Sequence, residues 1–407
     1  MSHQNVDIAI VGGGMVGATL ALALSQNLQG FKPIKIALIE AKALDFGAHP
    51  GFDSRAIALS AGSKDILEAL QLWPSLSALA QPIDKILVSD RGHIGRLKLK
   101  PEDYQLDSLG YVIELQQAGQ QLHAALAQCD NISLYCPNQI QSLEQAKHSN
   151  RLTLEDGQQL TCKLLVAADG GASNLAQQFK LDALDHDFGQ SAIIANLRSD
   201  QLPAGRAFER FTEHGPIALL PMNDNRWSLV WSVQTGQEQQ LLECSDHQFM
   251  RSLQSEFGLM AGRFEQVGQR AAYPLKLKHY PRAIAHRCVL IGNSAHTLHP
   301  IAGQGFNLGL RSVSVLSQLI QQLLSQETDS DCGSYSLLKR YQDLRSQDTQ
   351  NTIVLTSLLA SSFASADKGA VVARNIGMLT LRSSSFLKNH FANQTLGRFD
   401  LMTEGKR

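Results

Sequence analysis

The chain has 407 residues, 43% of them hydrophobic and 18% charged, with 36 Lys and Arg set against 37 Asp and Glu. A net charge of -1 offers no general attraction to a nucleic-acid backbone, and the composition excludes a disordered or fibrous protein. The length exceeds the roughly 250 to 300 residues at which one core stops growing, so two interleaved domains, or one with a helical extension, are expected. Cys129, Cys136, Cys162, Cys244, Cys288 and Cys332 form no CxxC pair and no metal-ligand spacing, and read as small buried hydrophobes in a reducing compartment. The opening MSHQNVD lacks a basic n-region and a cleavage site, which predicts a cytoplasmic protein.

In chain order, Val6–Val11 is a short apolar run of the kind that makes a buried parallel strand, and Met15–Leu28 has a helical composition rich in Ala and Leu. Between them, Gly12, Gly14 and Gly17 of the run Gly12-Gly13-Gly14-Met15-Val16-Gly17 satisfy GxGxxG. In this setting the first glycine permits the tight turn, the second lets backbone N–H groups approach a pyrophosphate, and the third lets helix pack on strand. Ile34–Ile39 reads as a second strand ending at Glu40, about 20 residues past the last glycine, where an acidic side chain accepts hydrogen bonds from a ribose hydroxyl. This fingerprint alone does not choose between NAD and FAD.

Ile83–Leu99 and Phe208–Trp231 alternate short β-like runs with turn residues such as Gly215, Pro216 and Asn225, which predicts a mainly antiparallel sheet in a second domain. Two basic clusters, Arg91, Arg96, Lys98, Lys100 and Lys276, Lys278, Arg282, are either solvated strand faces or contacts for anionic lipid headgroups. A helix over Leu115–Gln128 and a strand over Leu164–Ala168 return the chain to the first domain. That strand runs into Asp169-Gly170, where the Asp is either a turn former or a ligand contact.

Cys288–Gly292 is another buried strand, followed by Asn293, a loop through Pro300, Gly303 and Gly305, and a helix over Asn307–Leu324. The two loop glycines let backbone come close to a flat ligand, and the helix beginning near Phe306 and Asn307 aims its positive end at the same place. A reduced flavin carries negative charge on its pyrimidine edge, which such a helix end stabilises; this tips the reading to FAD. Asn293 stands at the C-terminal end of a strand, where ligands of parallel sheets bind. His296 and His299 flank the loop and receive no role. No zinc spacing, catalytic Ser-His-Asp order, P-loop or nucleophile elbow is present. From Tyr335 onward the composition is mostly helical, and the longest uncharged stretch, Thr352–Ala366, falls short of the roughly 18 residues that argue for a membrane span.

These motifs resemble the FAD-dependent aromatic hydroxylases related to 4-hydroxybenzoate hydroxylase, over nearly the whole chain. The family's marks fall on Gly12, Gly14 and Gly17, on Asp169-Gly170, and on Gly292-Asn293. Within that family the segments Ser54–Ser60, Asp90–Gly95, Arg206–Phe211 and Thr297–Asn307 resemble the ubiquinone-biosynthesis branch. The resemblance implies an α/β fold with a Rossmann-type FAD domain, an interleaved mainly antiparallel substrate domain and C-terminal helices. The implied division is residues 1–80, 101–180 and 271–330 for FAD, 81–100 and 181–270 for substrate, and 331–407 for the helical region. It also implies that the Gly292-Asn293 pair holds the ribityl chain of FAD, that Asp169 lies near both cofactors' paths, and that Gly303, Gly305, Phe306 and Asn307 line the flavin. Arg55 and Pro300 become candidate catalytic residues, Arg55 also touching the cofactor. The implied reaction is hydroxylation of a polyprenylated phenol of the 2-octaprenyl-6-methoxyphenol type: NAD(P)H reduces FAD, and O₂ adds to give a flavin C4a-hydroperoxide that attacks the ring. The sequence departs from the family pattern twice, with Asn293 for the usual Asp and Ala176 where the Asp-Gly motif runs on to an Arg.

Rival readings are a reductase or halogenase on the same scaffold and a flavin-binding subunit without turnover. WSLVW at Trp227–Trp231 does not match the WxWxIP motif of such halogenases. A long isoprenoid tail does not dissolve in water, so peripheral contact with the inner membrane, a complex with other biosynthetic enzymes, or self-association is expected, with Thr352–Leu381 as the contact surface. The same segment alternatively packs on the FAD domain.

Overall fold

The computed structural model describes residues 3–26, 34–43, 55–93, 95–171, 174–326, 331–364 and 393–397. Its first sheet has eight strands. Five run parallel in the order Cys288–Leu290, Gln159–Ala167, His3–Val11, Ile36–Ile39 and Ile132–Tyr135. Ile8, Ala9, Ile10 and Ile36–Ile39 are at most 1% exposed, as parallel strands covered on both faces require. Helix Met15–Gln26 lies on one face with Leu115–Leu126 and Gln304–Gln326 packed over it, so that every residue from Gly17 to Leu24 is buried. The opposite face packs around Leu152, Leu154, Leu175 and Tyr280.

The second sheet has nine strands. The order is His296–Thr297, Ala271–His279, Leu184–Ser199, Arg226–Gln234, Gly215–Met222, Arg206–Thr212, Lys85–Asp90 and Arg96–Leu99, with Phe264–Val267 alongside Leu184–Ser199. Only the Arg206–Thr212 and Lys85–Asp90 pairing is parallel among these neighbours. One face is covered by helix Asp246–Phe257, whose Phe249, Leu253 and Phe257 pack against Phe208, Trp227 and Trp231. A capping box of Ser245 and Gln248 starts that helix. Ala271–His279, grouped with the first domain in the sequence division, hydrogen-bonds along Leu184–Ser199 of this second sheet. A small sheet of Ala56–Ser60, Gly110–Glu114 and Gln81–Ile83 bridges the two large ones.

Among the described residues no helix is long and apolar enough to cross a membrane. All six cysteines are free thiols; Cys162, Cys288 and Cys332 are buried, whereas Cys129, Cys136 and Cys244 are only half-buried. In Tyr335–Ala364, Thr352, Thr356 and Ala360 pack inward, while Val354 and Leu358 are 58% and 59% exposed. Of the expected contact surface, 365–381 lies outside the described residues.

The small sheet is tied to the nine-stranded one by Arg226, which donates to Glu114 at 2.5 Å with side chains 4% and 5% exposed. A lone buried charge is far costlier than a pair, so Glu114→Ala should lower unfolding stability by about 3–5 kcal/mol. Urea denaturation measures it; a loss below about 1 kcal/mol would show that the pair does not hold the sheets together.

Candidate functional site

The turn after the first strand is built by contact. Gly12 has φ +105°, and a Cβ there would lie 2.4 Å from the Ala168 carbonyl oxygen; a Cβ on Gly17 would lie 1.9 Å from that of Gly12. No side chain other than hydrogen fits either place. Gly14 differs, since nothing lies within 4 Å of its Cβ direction, and it faces open cavity. Helix Met15–Gln26 has no acidic residue in its first turn, so its N-terminal positive end is left for a ligand. Glu40 accepts the Gly13 N–H at 2.7 Å on one carboxylate oxygen and the Lys42 N–H at 2.9 Å on the other. Each oxygen retains a lone pair for a hydroxyl donor. His123, from helix Leu115–Leu126, places Nε2 2.8 Å from the Gly13 carbonyl; sequence reasoning gave no hint of this contact.

Asp169 and Asn293 are brought together through Ser294. The Ser294 hydroxyl donates to Asp169 Oδ1 at 2.8 Å and accepts the Gly170 N–H at 3.0 Å, which locks the two strand ends to each other. Asn293 is exposed to the cavity, beside Asp169, Gly170 and Thr297. Ala176, at the position of the family's Arg, is fully buried and offers no polar group.

The Pro300–Asn307 loop forms the adjoining wall. Gly303 has φ +61°, and a Cβ there would meet the Ala58 Cβ at 3.0 Å, whereas Gly305 has nothing within 4 Å. Asn307 is 1% exposed and spends its amide on backbone: Oδ1 accepts from Ser60 N–H at 2.9 Å, and Nδ2 donates to the Ala58 carbonyl at 3.0 Å and the Gly303 carbonyl at 2.7 Å. It therefore shapes the loop and has little left for a ligand. Helix Gln304–Gln326 also lacks an acidic residue in its first turn. Behind it, Arg311 and Arg345 both pair with Asp348, all at most 4% exposed, and Arg311 also donates to Gln304 at 3.3 Å. This buried group of two cations and one anion reinforces the positive end of the helix.

Pro300 lines the cavity; Arg55 is exposed and does not line it, but its Nη1 donates at 3.2 Å to the hydroxyl of Tyr273, which does. His299 is held 3.3 Å from Gln190 Oε1 and edge-on to Phe188; burial pulls its pKa down to about 4, and burial likewise holds His296 well below the ordinary value. Both are neutral packed groups at neutral pH, and neither lines the cavity.

That cavity, of about 980 Å³, runs from Gly12, Gly14 and Glu40 past Asp169, Asn293, Pro300 and Phe306 to a chamber under the nine-stranded sheet. The chamber walls are Ile86, Val88, Leu97, Ala218, Leu220, Val230, Leu359 and Leu396, with one carboxyl, Glu209, among them. Glu209 was not singled out from the sequence. Burial among these apolar walls pushes its pKa up to about 8.

Comparison with known proteins places this geometry. The FAD binding domain family model matches residues 5–355. The chain is 31% identical to the ubiquinone hydroxylase UbiL of Rhodospirillum rubrum, covering 98% of this chain and 92% of that protein. It is 30% identical to 3-demethoxyubiquinol 3-hydroxylase of Escherichia coli, covering 98% and 100%. In fold it is similar to p-nitrophenol 4-monooxygenase PnpA of Pseudomonas putida, with TM-score 0.77, 15% identity and coverage of 98% and 100%. The chain therefore belongs to the FAD-dependent aromatic hydroxylases, in the branch of the ubiquinone hydroxylases, and is a monooxygenase that uses FAD, NAD(P)H and O₂.

Proposed function

We propose that this enzyme hydroxylates the aromatic ring of a polyprenylated phenol of the 2-octaprenyl-6-methoxyphenol type in ubiquinone biosynthesis. The observation that carries the reading is the single cavity that joins a dinucleotide cradle to an apolar chamber. The residues fit FAD, because Gly14 and Gly305, two of the cavity-lining glycines with open Cβ directions, stand at the starts of two helices without first-turn acids.

In this reading Gly14 at the helix start would hold the pyrophosphate, and Glu40 would accept a ribose hydroxyl on its remaining lone pairs. The Asn293 amide bonds a ribityl hydroxyl, held in place by the Ser294 link to Asp169. Asn307 and Gly303 fix the loop wall that would hold the ring system. The Gln304–Gln326 helix end favours negative charge on the pyrimidine edge. Bound FAD supplies electron acceptance from NAD(P)H and transfer of one oxygen atom from O₂. The apolar chamber excludes water and holds the phenol ring toward that chemistry. Pro300 forms the wall between the two, and Arg55 acts from outside the cavity by holding Tyr273. The isoprenoid tail leaves past Leu358, which both lines the cavity and is 59% exposed, so its far end stays in lipid or in a partner's groove.

With NAD(P)H and isotopically labelled O₂, the purified enzyme should add one labelled oxygen to the ring of a short-tailed prenyl methoxyphenol. Oxidation of NAD(P)H without a hydroxylated product would overturn the reading.

Two variants check the geometry. Gly14→Val fills the space assigned to the pyrophosphate without meeting protein, so it should fold with a normal circular dichroism spectrum yet retain less than a tenth of the FAD released from wild type on denaturation. Full FAD content would displace Gly14 from the cofactor. Leu358→Asp should raise KM for a long-tailed phenol roughly tenfold, the scale of one lost leucine contact, and leave a tailless phenol unaffected. An equal change for both would place the tail elsewhere.

A further inference from the structure

Strand Arg206–Thr212 presents its two faces to different surroundings. Phe208 and Arg210 turn toward helix Asp246–Phe257, where Arg210 donates to the Glu256 carbonyl at 3.1 Å. Ala207, Glu209 and Phe211 turn the other way, into the chamber. By strand register Glu209 stands beside Val88 on one side and Ala218 on the other, with Val230 next along. No hydrogen bond or ion pair to its carboxylate is found among the described residues. Half-buried among apolar side chains, such a carboxyl loses part of its hydration and stabilises nothing around it. Among the described residues it is also the one acidic side chain lining the apolar half of the cavity.

We infer that Glu209 is the base that removes the phenol proton of the substrate. The inference rests on the phenol-hydroxylase reading above. The phenolic O–H bond breaks, its proton passes to a Glu209 oxygen, and the electron pair left on the phenol oxygen delocalises to the ortho and para carbons. Those carbons then attack an electrophilic oxygen far more readily. The hydrogen of the attacked carbon then leaves as a proton to the oxygen left behind when the O–O bond breaks, and the Glu209 acid returns its own proton to the ring oxygen, which closes the cycle.

The apolar surroundings suit this role physically. In water a carboxylate is too weak a base for a phenol, and burial that raises its proton affinity narrows the mismatch. The carboxyl is about 8 rather than near 4.5, so it is largely protonated at neutral pH and becomes competent as pH rises through that value. The other charged groups near its face are few. Asp90, two residues along the neighbouring strand on the same side, pairs with His93 at 3.0 Å. Tyr273, Glu40 and Asp169 lie further round the cavity wall. Residues 352–364 of the helix that packs over the chamber contain no ionisable side chain. Arg206 and Arg210 are on the reverse face.

The test compares holoenzyme with Glu209→Gln, which keeps size and removes the charge, and with Glu209→Asp, which keeps the charge and withdraws it by one methylene. For wild type, kcat/KM on a short-tailed prenyl methoxyphenol should rise as pH passes through about 8. Glu209→Gln should lose roughly a hundredfold or more and lose that rise, and Glu209→Asp should recover part of both. FAD content should be unchanged in both variants. A second readout needs no turnover. Nitrophenol, acidic enough to yield its proton to such a carboxylate and coloured when ionised, should bind wild type at neutral pH as the coloured anion and Glu209→Gln as the colourless phenol, read by difference spectra.

If Glu209→Gln keeps more than a third of the activity with the same pH dependence, or still binds the probe as its anion, the assignment to Glu209 is wrong while the hydroxylase reading stands. If wild type itself hydroxylates no phenol, the underlying reading fails, and the assignment falls with it.

Discussion

The site depends on the packing around Val16. A Cβ on Gly292 would lie 3.1 Å from the Val16 methyl carbons and one on Gly309 would lie 2.9 Å from Cγ2, while Gly17 leaves no room against Gly12. Val16 belongs to the first glycine turn, and Gly292 and Gly309 flank the second block near the other end of the chain. Because all three glycines are bare, the two helix starts close on each other at backbone distance. Both positive ends thereby open into one cavity, one at the dinucleotide end and one beside the Pro300–Gly305 loop. A methyl group at Gly17 or Gly309 would force the helices apart and turn these ends out of line.

Polar groups in the interior fall into two kinds. Arg311, Arg345 and Asp348 satisfy one another and join helix Gln304–Gln326 to helix Tyr335–Ala364; Asn307 and the Ser294–Asp169 pair do the same for loops. These groups are buried and paired, which sets position at modest net energy. Glu209 is of the other kind, half-buried at the chamber wall with no partner among the described residues. The contrast shows where the fold accepts a stability penalty, and it does so at the chamber wall that a substrate would touch.

Much of the dinucleotide half is legible in the sequence because its geometry admits few residue types. Gly12 and Gly17 sit where a side chain would collide with backbone, and Ile8–Val11 is uniformly apolar because the strand is covered on both sides there. Asn307 illustrates a subtler limit: its place on the cavity wall follows from the motif, yet three backbone contacts consume its amide, and two of them come from strand Ala56–Ser60, far away in sequence. Glu209 was obscured by Arg210 beside it, since two adjacent charges in a short run look like solvated positions. In a strand covered on both faces the same pair means one charge goes to each side. Which side holds the cavity depends on the register with Val88 and Ala218, and no local pattern carries that. Ala271–His279 falls within 271–330 of the division that the resemblance implies, and its hydrogen bonds run along Leu184–Ser199 of the nine-stranded sheet.

The interleaving has a consequence for synthesis. Helix Met15–Gln26, apolar on every side, cannot be covered until Gln304–Gln326 has been made, and the parallel sheet lacks Cys288–Leu290 until then as well. At ribosomal rates of about 5–20 residues per second, the nascent chain carries this exposed helix for roughly 15–60 s. Over that interval its greasy flanks are open to chaperones and to neighbouring nascent chains, so the yield of active enzyme in the cell is set partly by what shelters residues 15–26 before the chain is finished.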